Sequence, residues 1–196
     1  ISGLEVDMTW QATDKLRLGA SFAIMDGEYG SYPGAGCTAA QASGLLGLGT
    51  LNASDGQNHT FDGCTAKFKG DGTQTGSGAQ DLAGAKVGVD YNGSLTADYA
   101  TPVAEGILWF ASVDVNFTDG FFMAGDRDPI DFEQGFEKVN VRTGLRGDNW
   151  TLMAYGKNVA DKVTPSGAFD IPLAAGSHGQ YTMPGDVYGV RLSFDF

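Results

Sequence analysis

Between residues 126 and 133 the chain sets four carboxylates within a short span, Asp126, Asp128, Asp131 and Glu133, in the run Asp126-Arg-Asp-Pro-Ile-Asp131-Phe-Glu133. Oxygen donors at that density suit a hard cation such as calcium, which takes roughly six to eight of them. Acidic loops are also commonly just solvated, and residue types alone leave both readings open. The two histidines, His59 and His178, lie far apart in loop-like sequence, and neither has a partner at a spacing that signals a nucleophilic triad. Both read as solvated loop residues. The chain reads as a non-enzyme, with no cofactor implied.

Cys37 and Cys64 share one polar stretch rich in Gly, Ser and Thr. In an oxidising compartment the pair reads as a loop staple. Closing about twenty-seven residues constrains the unfolded chain by roughly 3 to 4 kcal/mol on the chain-entropy estimate. The expected result is a compact lid or rim. Gly70-Asp-Gly-Thr-Gln-Thr-Gly-Ser-Gly78 faintly matches a calcium-binding nonapeptide repeat, but a single imperfect copy cannot build that coil, so it reads as flexible loop.

The elements that position these residues show as strict alternation of apolar and polar side chains, the mark of strands with two unlike faces. Leu4, Val6, Met8 and Trp10 alternate with Glu5, Asp7, Thr9 and Gln11, and after a short turn Leu16, Leu18, Ala20, Phe22 and Ile24 alternate with Arg17, Gly19, Ser21 and Ala23. The pattern lapses over about 26–89 and resumes with Leu95, Ala97 and Tyr99. A turn around Pro102 to Gly106 leads to Ile107, Trp109, Ala111, Val113, Val115 and Phe117. A second long loop, about 118–135, precedes Val139, Val141, Thr143 and Leu145. The turn Gly147-Asp-Asn149 then leads to Trp150, Leu152 and Ala154, and a third loop follows at about 159–184. The last strand, Tyr188-Gly-Val-Arg-Leu-Ser-Phe-Asp-Phe196, sets Tyr188, Val190, Leu192, Phe194 and Phe196 against Gly189, Arg191, Ser193 and Asp195.

These are seven strands of about ten residues, the length a tilted membrane-crossing strand needs. Their connections alternate short and long, as tight periplasmic turns and long extracellular loops do in outer-membrane barrels. A soluble antiparallel sandwich also alternates, but its strands are shorter and its turns do not sort into two length classes. Parity puts Glu5, Asp7, Arg17, Asp98, Asp114, Arg142, Arg191 and Asp195 on the face opposite the apolar set, where a wet lumen tolerates charge of both signs. Trp10, Tyr99, Trp109, Phe117, Trp150, Tyr188 and Phe196 fall mostly near strand ends, where an aromatic girdle lies.

Composition agrees with this reading. No run of eighteen apolar residues exists, which removes a transmembrane helix. Mean hydropathy is −0.14, a value that alternating strands produce by averaging a greasy and a wet face. With 12 Lys and Arg against 24 Asp and Glu, the net charge of −12 argues against a nucleic-acid partner.

Several stretches together resemble the C-terminal barrel of TonB-dependent outer-membrane receptors. They are Gly3-Leu-Glu-Val-Asp-Met-Thr-Trp10, Asp81-Leu-Ala-Gly84 ahead of Ser94-Leu-Thr-Ala-Asp-Tyr99, and Asn149-Trp-Thr-Leu-Met-Ala-Tyr-Gly-Lys-Asn158 with Asp161-Lys162. The terminal Tyr188 to Phe196, ending on an aromatic as barrel-insertion signals do, completes the set. The cysteine pair ahead of Asp81 resembles a loop disulfide found in part of the family. The resemblance implies an all-β, antiparallel transmembrane barrel of about twenty-two strands, residues 1–196 forming about seven C-terminal ones. It also implies a plug domain outside this chain, a TonB-type energising complex acting through that plug, and contact with outer-membrane lipid and lipopolysaccharide in a Gram-negative bacterium.

Seven strands leave two sheet edges, and unpaired backbone groups in lipid cost several kcal/mol each, so the remainder of the barrel is expected beside both. The expected function is energised uptake of a scarce solute, a small molecule or metal chelate such as a ferric siderophore. The alternative is a structural or scaffolding barrel component associating with another surface assembly.

Overall fold

The computed structural model describes residues 1–52, 57–68, 74–171 and 177–196. In chain order the elements are β1 (Ser2–Thr13), β2 (Leu16–Asp26), β3 (Ala35–Gly36), α1 (Ala39–Asn52), β4 (Asn58–Phe61), β5 (Cys64–Phe68), β6 (Gln74–Gln80), β7 (Tyr91–Ala104) and β8 (Ile107–Thr118). They continue with β9 (Phe121–Phe122), a 3-10 turn (Pro129–Asp131), β10 (Phe132–Glu133), β11 (Phe136–Arg146), β12 (Trp150–Lys157), β13 (Pro165–Asp170), β14 (His178–Thr182) and β15 (Val187–Phe194).

Seven of these strands form one antiparallel sheet in the order β1-β2-β7-β8-β11-β12-β15. They are the seven that alternation predicts. Sequence neighbours within this set are also sheet neighbours, so the topology is a meander in which every long connection leaves from one end and every tight turn from the other. The sheet is open, since β1 and β15 each have a single neighbour. An open sheet of this kind is a portion of a barrel.

Register carries the two-faced pattern across all seven strands, with shifts at Gln11/Thr13 and Pro102/Ala104 beside two tight turns. One row runs Met8, Ala20, Leu95, Val115, Val139, and the next Trp10, Leu18, Ala97, Val113, Val141, Gly156, Tyr188. Val190 at 74% and Leu4 at 63% accessibility show how bare this apolar face is. Such a surface is stable only against an apolar medium or partner. The row between runs Thr9, Gly19, Thr96, Asp114, Asn140, and the row beyond Trp10 runs Gln11, Arg17, Asp98, Ser112, Arg142, Tyr155, Gly189, both on the opposite face.

The tight turns have local causes. The Thr13 hydroxyl accepts hydrogen bonds from the amides of Lys15 (3.2 Å) and Leu16 (3.0 Å), closing the first turn. The second begins later than Pro102, because β7 continues to Ala104 through a bulge at Val103. Proline is tolerated at a bulge, where a ladder amide is not required.

The long connections differ from the expectation of plain loops. Residues 27–90 hold α1 and a small sheet ordered β3-β6-β5-β4, while 119–135 and 158–186 contain the pairs β9-β10 and β13-β14. Cys37 and Cys64 are joined, with Cα atoms 5.7 Å apart, and their disulfide packs with Leu45 and Ala66 into a miniature core. A Cβ on Gly78 would come within 2.6 Å of the Cys64 Sγ and 2.9 Å of the Cys37 Sγ, so glycine is required beneath the bridge. Of the run Gly70–Gly78 read as flexible loop, the later residues belong to β6, while 69–73 lie outside the described residues.

Two of the short motifs act as fasteners, the first within the 27–90 connection and the second between sheet and loop. In Asp81-Leu-Ala-Gly84 the Asp81 carboxylate accepts from Tyr32 N (3.3 Å) and Ala83 N (2.9 Å), and Gly84 takes φ +78°, a conformation glycine adopts freely. After β12, Asn158 adopts φ +50°, and its side chain holds both the amide (3.1 Å) and the carbonyl (3.0 Å) of Lys162. Its own amide donates to the Asn140 side chain at 2.9 Å. Asparagine is among the few non-glycine residues suited to this left-handed geometry.

Candidate functional site

Two places collect functional side chains: the polar face of the sheet and a buried cluster among the long connections.

On the polar face, register sets Arg17 directly across from Asp98, and Arg142 Nη2 lies 3.4 Å from Asp98 Oδ1. The buried Ser112 hydroxyl also donates to Asp98. Asp114 accepts from Asn140 (2.6 Å) and Asn116 (3.2 Å). Arg191 lies beside Met153 on the next strand, with Nε 3.1 Å from the Ser193 hydroxyl. Asp114, Asn140, Arg142, Tyr155, Lys157 and Arg191 line one shallow depression, and Arg17, Asp98, Arg142 and Arg146 another. Glu5 and Asp7 sit further along the same face of β1, across from Ala23 and Ser21, and Asp195 lies just past β15. The structure thus joins Asp98 with Arg142 and Asp114 with Asn140, and leaves Glu5, Asp7 and Asp195 outside these groups.

The second place is built from loops. Asp128 caps the 3-10 turn, its Oδ1 accepting from Ile130 N at 3.1 Å, and the turn ends on Asp131, which is fully buried. The β13-β14 hairpin pairs Asp170 with His178 directly across its ladder. The two segments meet. His178 Nδ1 lies 3.4 Å from Asp131 Oδ2 and 3.3 Å from Asp170 Oδ1, while Nε2 faces Asp128 Oδ2 at 3.7 Å. Asp126 stands nearby, its pKa raised chiefly by burial, with the Asp170 and Asp128 charges adding to the shift. The Asp126 carbonyl accepts from Gln80 Nε2 at 2.7 Å and the Arg127 guanidinium donates to the Lys86 carbonyl, tying this loop to the disulfide-bearing one. Arg127 also lies 4.2 Å over the Phe122 ring.

Two sequence readings are corrected here. His178 is not a solvated loop residue, since its side chain is only 9% exposed and faces three carboxylates. Glu133 does not join the acidic group, because it pairs with Phe121 in the β9-β10 ladder; Asp131, Asp170 and His178 form the potential ligand set among the described residues. Asp170 and His178 carried little signal, since both lie about forty or more residues beyond Asp131 and only the hairpin register makes them neighbours. A Pro- and Gly-containing stretch between them was the one hint of a hairpin.

The architecture has a counterpart among solved structures. The ferric yersiniabactin uptake receptor FyuA from Yersinia pestis superposes with a TM-score of 0.61 over 99% of this chain at 10% identity. The fold is that of an antiparallel β-barrel, of which this chain forms an open seven-stranded part. At that identity the likeness concerns the fold alone, and the chain spans 23% of FyuA's length. The ferric enterobactin receptor PfeA from Pseudomonas aeruginosa aligns over 99% of the chain at 12% identity, with a TM-score of 0.32 that is too low to argue from. No protein-family model and no curated protein matches the chain.

Proposed function

We propose that the chain is part of a TonB-dependent outer-membrane receptor that takes up a scarce solute, a ferric siderophore being the leading class. The observation that carries this reading is the open seven-stranded meander with one bare apolar face and one charged face, superposing on a ferric-siderophore uptake receptor over nearly its whole length. In this reading the apolar rows face lipid, and Arg17, Asp98, Asp114, Arg142 and Arg191 face the lumen. The tight turns lie in the periplasm, the three long connections outside, and the remaining strands continue from β1 and β15.

Mixed charge along the lumen gives a passing anionic or chelated solute alternating weak contacts, none deep enough to trap it. The loop layer supplies first capture. A plug within the full barrel would block leakage and couple release to the inner membrane.

The test uses the full-length protein in a Gram-negative host lacking its own siderophore receptors. Accumulation of a radioiron-loaded siderophore that stops when the proton-motive force is collapsed supports the reading. Correct outer-membrane insertion without energised uptake of any siderophore in a broad panel overturns the substrate class. Co-purification of a surface assembly in that case favours the scaffolding role.

A further inference from the structure

We propose that Asp131, Asp170 and His178 bind one divalent transition-metal ion of the zinc class, which clamps the 119–135 loop to the β13-β14 hairpin. This goes beyond the uptake reading and does not depend on it.

Three observations carry the assignment. The first is burial without hydrogen bonds. Both carboxylate oxygens of Asp131, Oδ1 of Asp170 and Nδ1 of His178 are shielded from solvent and make no hydrogen bond. Burying such groups without hydrogen bonds is costly, more so when they are charged, and their clustering calls for something that binds them all.

The second is spacing. Zinc sits about 2.0 to 2.2 Å from imidazole nitrogen and carboxylate oxygen, so the edge of its coordination tetrahedron is about 3.4 Å. His178 Nδ1 is 3.4 Å from the nearest Asp131 oxygen and 3.3 Å from that of Asp170. The donor atoms of the three residues all lie within 4.8 Å of one another. Three protein ligands leave a fourth position for water. Calcium fits less well, because it prefers six or more oxygens at longer range and no nitrogen.

The third is the other side of the ring. Asp128 Oδ2 faces Nε2, while its Oδ1 is fixed by the Ile130 amide. A carboxylate behind a ligating histidine sets its tautomer and orientation and raises its basicity. At 3.7 Å the contact is electrostatic rather than a hydrogen bond, and it assigns Asp128 as a positioning residue that favours the proton on Nε2 and leaves Nδ1 free to ligate. One positive charge cannot offset Asp128, Asp131 and Asp170 together, whereas a divalent ion offsets two of the three negative charges.

The test is made on the full-length protein in detergent, stripped with a chelator and dialysed against zinc chloride, with bound metal counted by mass spectrometry. Heat-modifiable migration on gels verifies that each variant retains a folded barrel. We expect one zinc per chain in the wild type and loss of that ion in D131N, D170N and H178A. D128N should keep the stoichiometry but bind about 10- to 100-fold more weakly, a split that a purely structural role would not produce. Zinc should also slow hydrogen exchange in both 121–133 and 178–182. Absence of zinc from the folded wild type, unchanged stoichiometry in all three ligand variants, or displacement of zinc by calcium alone would overturn the assignment.

Discussion

The sheet and the loop layer above it are held together by opposite means. Among the described residues, every buried side chain except Ser112 lies in the connections: Leu45, Cys64, Ala66 and Ala35 around the disulfide, Thr38 and Gln41 at the start of α1, Leu82 in its fastening turn, and Asp128, Asp131, Asn158 and Thr164 around the two later loops. The sheet has no inner core. Its large apolar side chains point outward on one face, and its strands are fixed by backbone ladders and, in the proposed reading, by lipid. The loop layer behaves as a small soluble domain does, gaining stability from a buried cluster, a covalent bridge and paired polar groups. One chain thus follows two solvents' rules, and the change occurs where β2, β8 and β12 end.

Removing the bridge should separate the two regions most sharply. The double variant C37S/C64S loses roughly 3 to 4 kcal/mol of loop constraint on the chain-entropy estimate. Because the bridge closes only the loop layer, hydrogen exchange should accelerate across 35–80 while the seven barrel strands keep their protection. Equal acceleration in β7 and β8 would show that the two regions form one cooperative unit, and the contrast would fail.

The converse substitution attacks the sheet. Val113 lies mid-strand on β8 between Ala97 and Val141, on the apolar face. V113R should cost about 2 to 4 kcal/mol in urea titration of the full-length protein folded into lipid vesicles, if that face meets the bilayer centre. S21R, on the opposite face of β2, should stay within about 0.5 kcal/mol. Similar costs for both would remove the assignment of faces.

A smaller effect is expected at the junction. Asn158 combines a left-handed backbone, φ +50°, with a side chain that holds Lys162 by two hydrogen bonds. N158A should cost about 2 to 3 kcal/mol, roughly 1 from each side-chain bond and the rest from the left-handed alanine. N158G, which relieves only the backbone, should recover about 1 kcal/mol of that by the same titration.

How much was legible in the sequence follows the same division. A two-residue period is local, so Leu4 to Trp10 or Tyr188 to Phe194 announce a strand and its faces without reference to anything distant. The register then follows from short turns such as Thr13 to Leu16. In the loop layer the informative contacts are long-range. Nothing near Asp131 indicates His178, and the Ala- and Gly-rich α1 has no apolar stripe to separate it from coil. The Asp81-Leu-Ala-Gly84 and Asn158 to Lys162 motifs were visible as residue types, but their fastening role needed Tyr32 and Asn140, which are far away in sequence.

The mildest test asks whether the charged face is wet. Asp98 and Arg142 are paired at 3.4 Å with about half of each side chain exposed, and an exposed ion pair contributes about 0 to 1 kcal/mol. D98N keeps an oxygen to accept from Ser112, so it should cost no more than that. Raising salt from about 0.1 to 1 M shortens the screening length from about 10 to 3 Å, and the cost of D98N should shrink with it. D98A also leaves the buried Ser112 hydroxyl without its acceptor, and should cost about 1 to 3 kcal/mol at any salt. If D98N were instead as costly as D98A and indifferent to salt, the Arg142–Asp98 pair would sit in a dry, low-dielectric interior. The polar face would then be packed against protein rather than water, and the lumen residues would be structural rather than part of a path for solute.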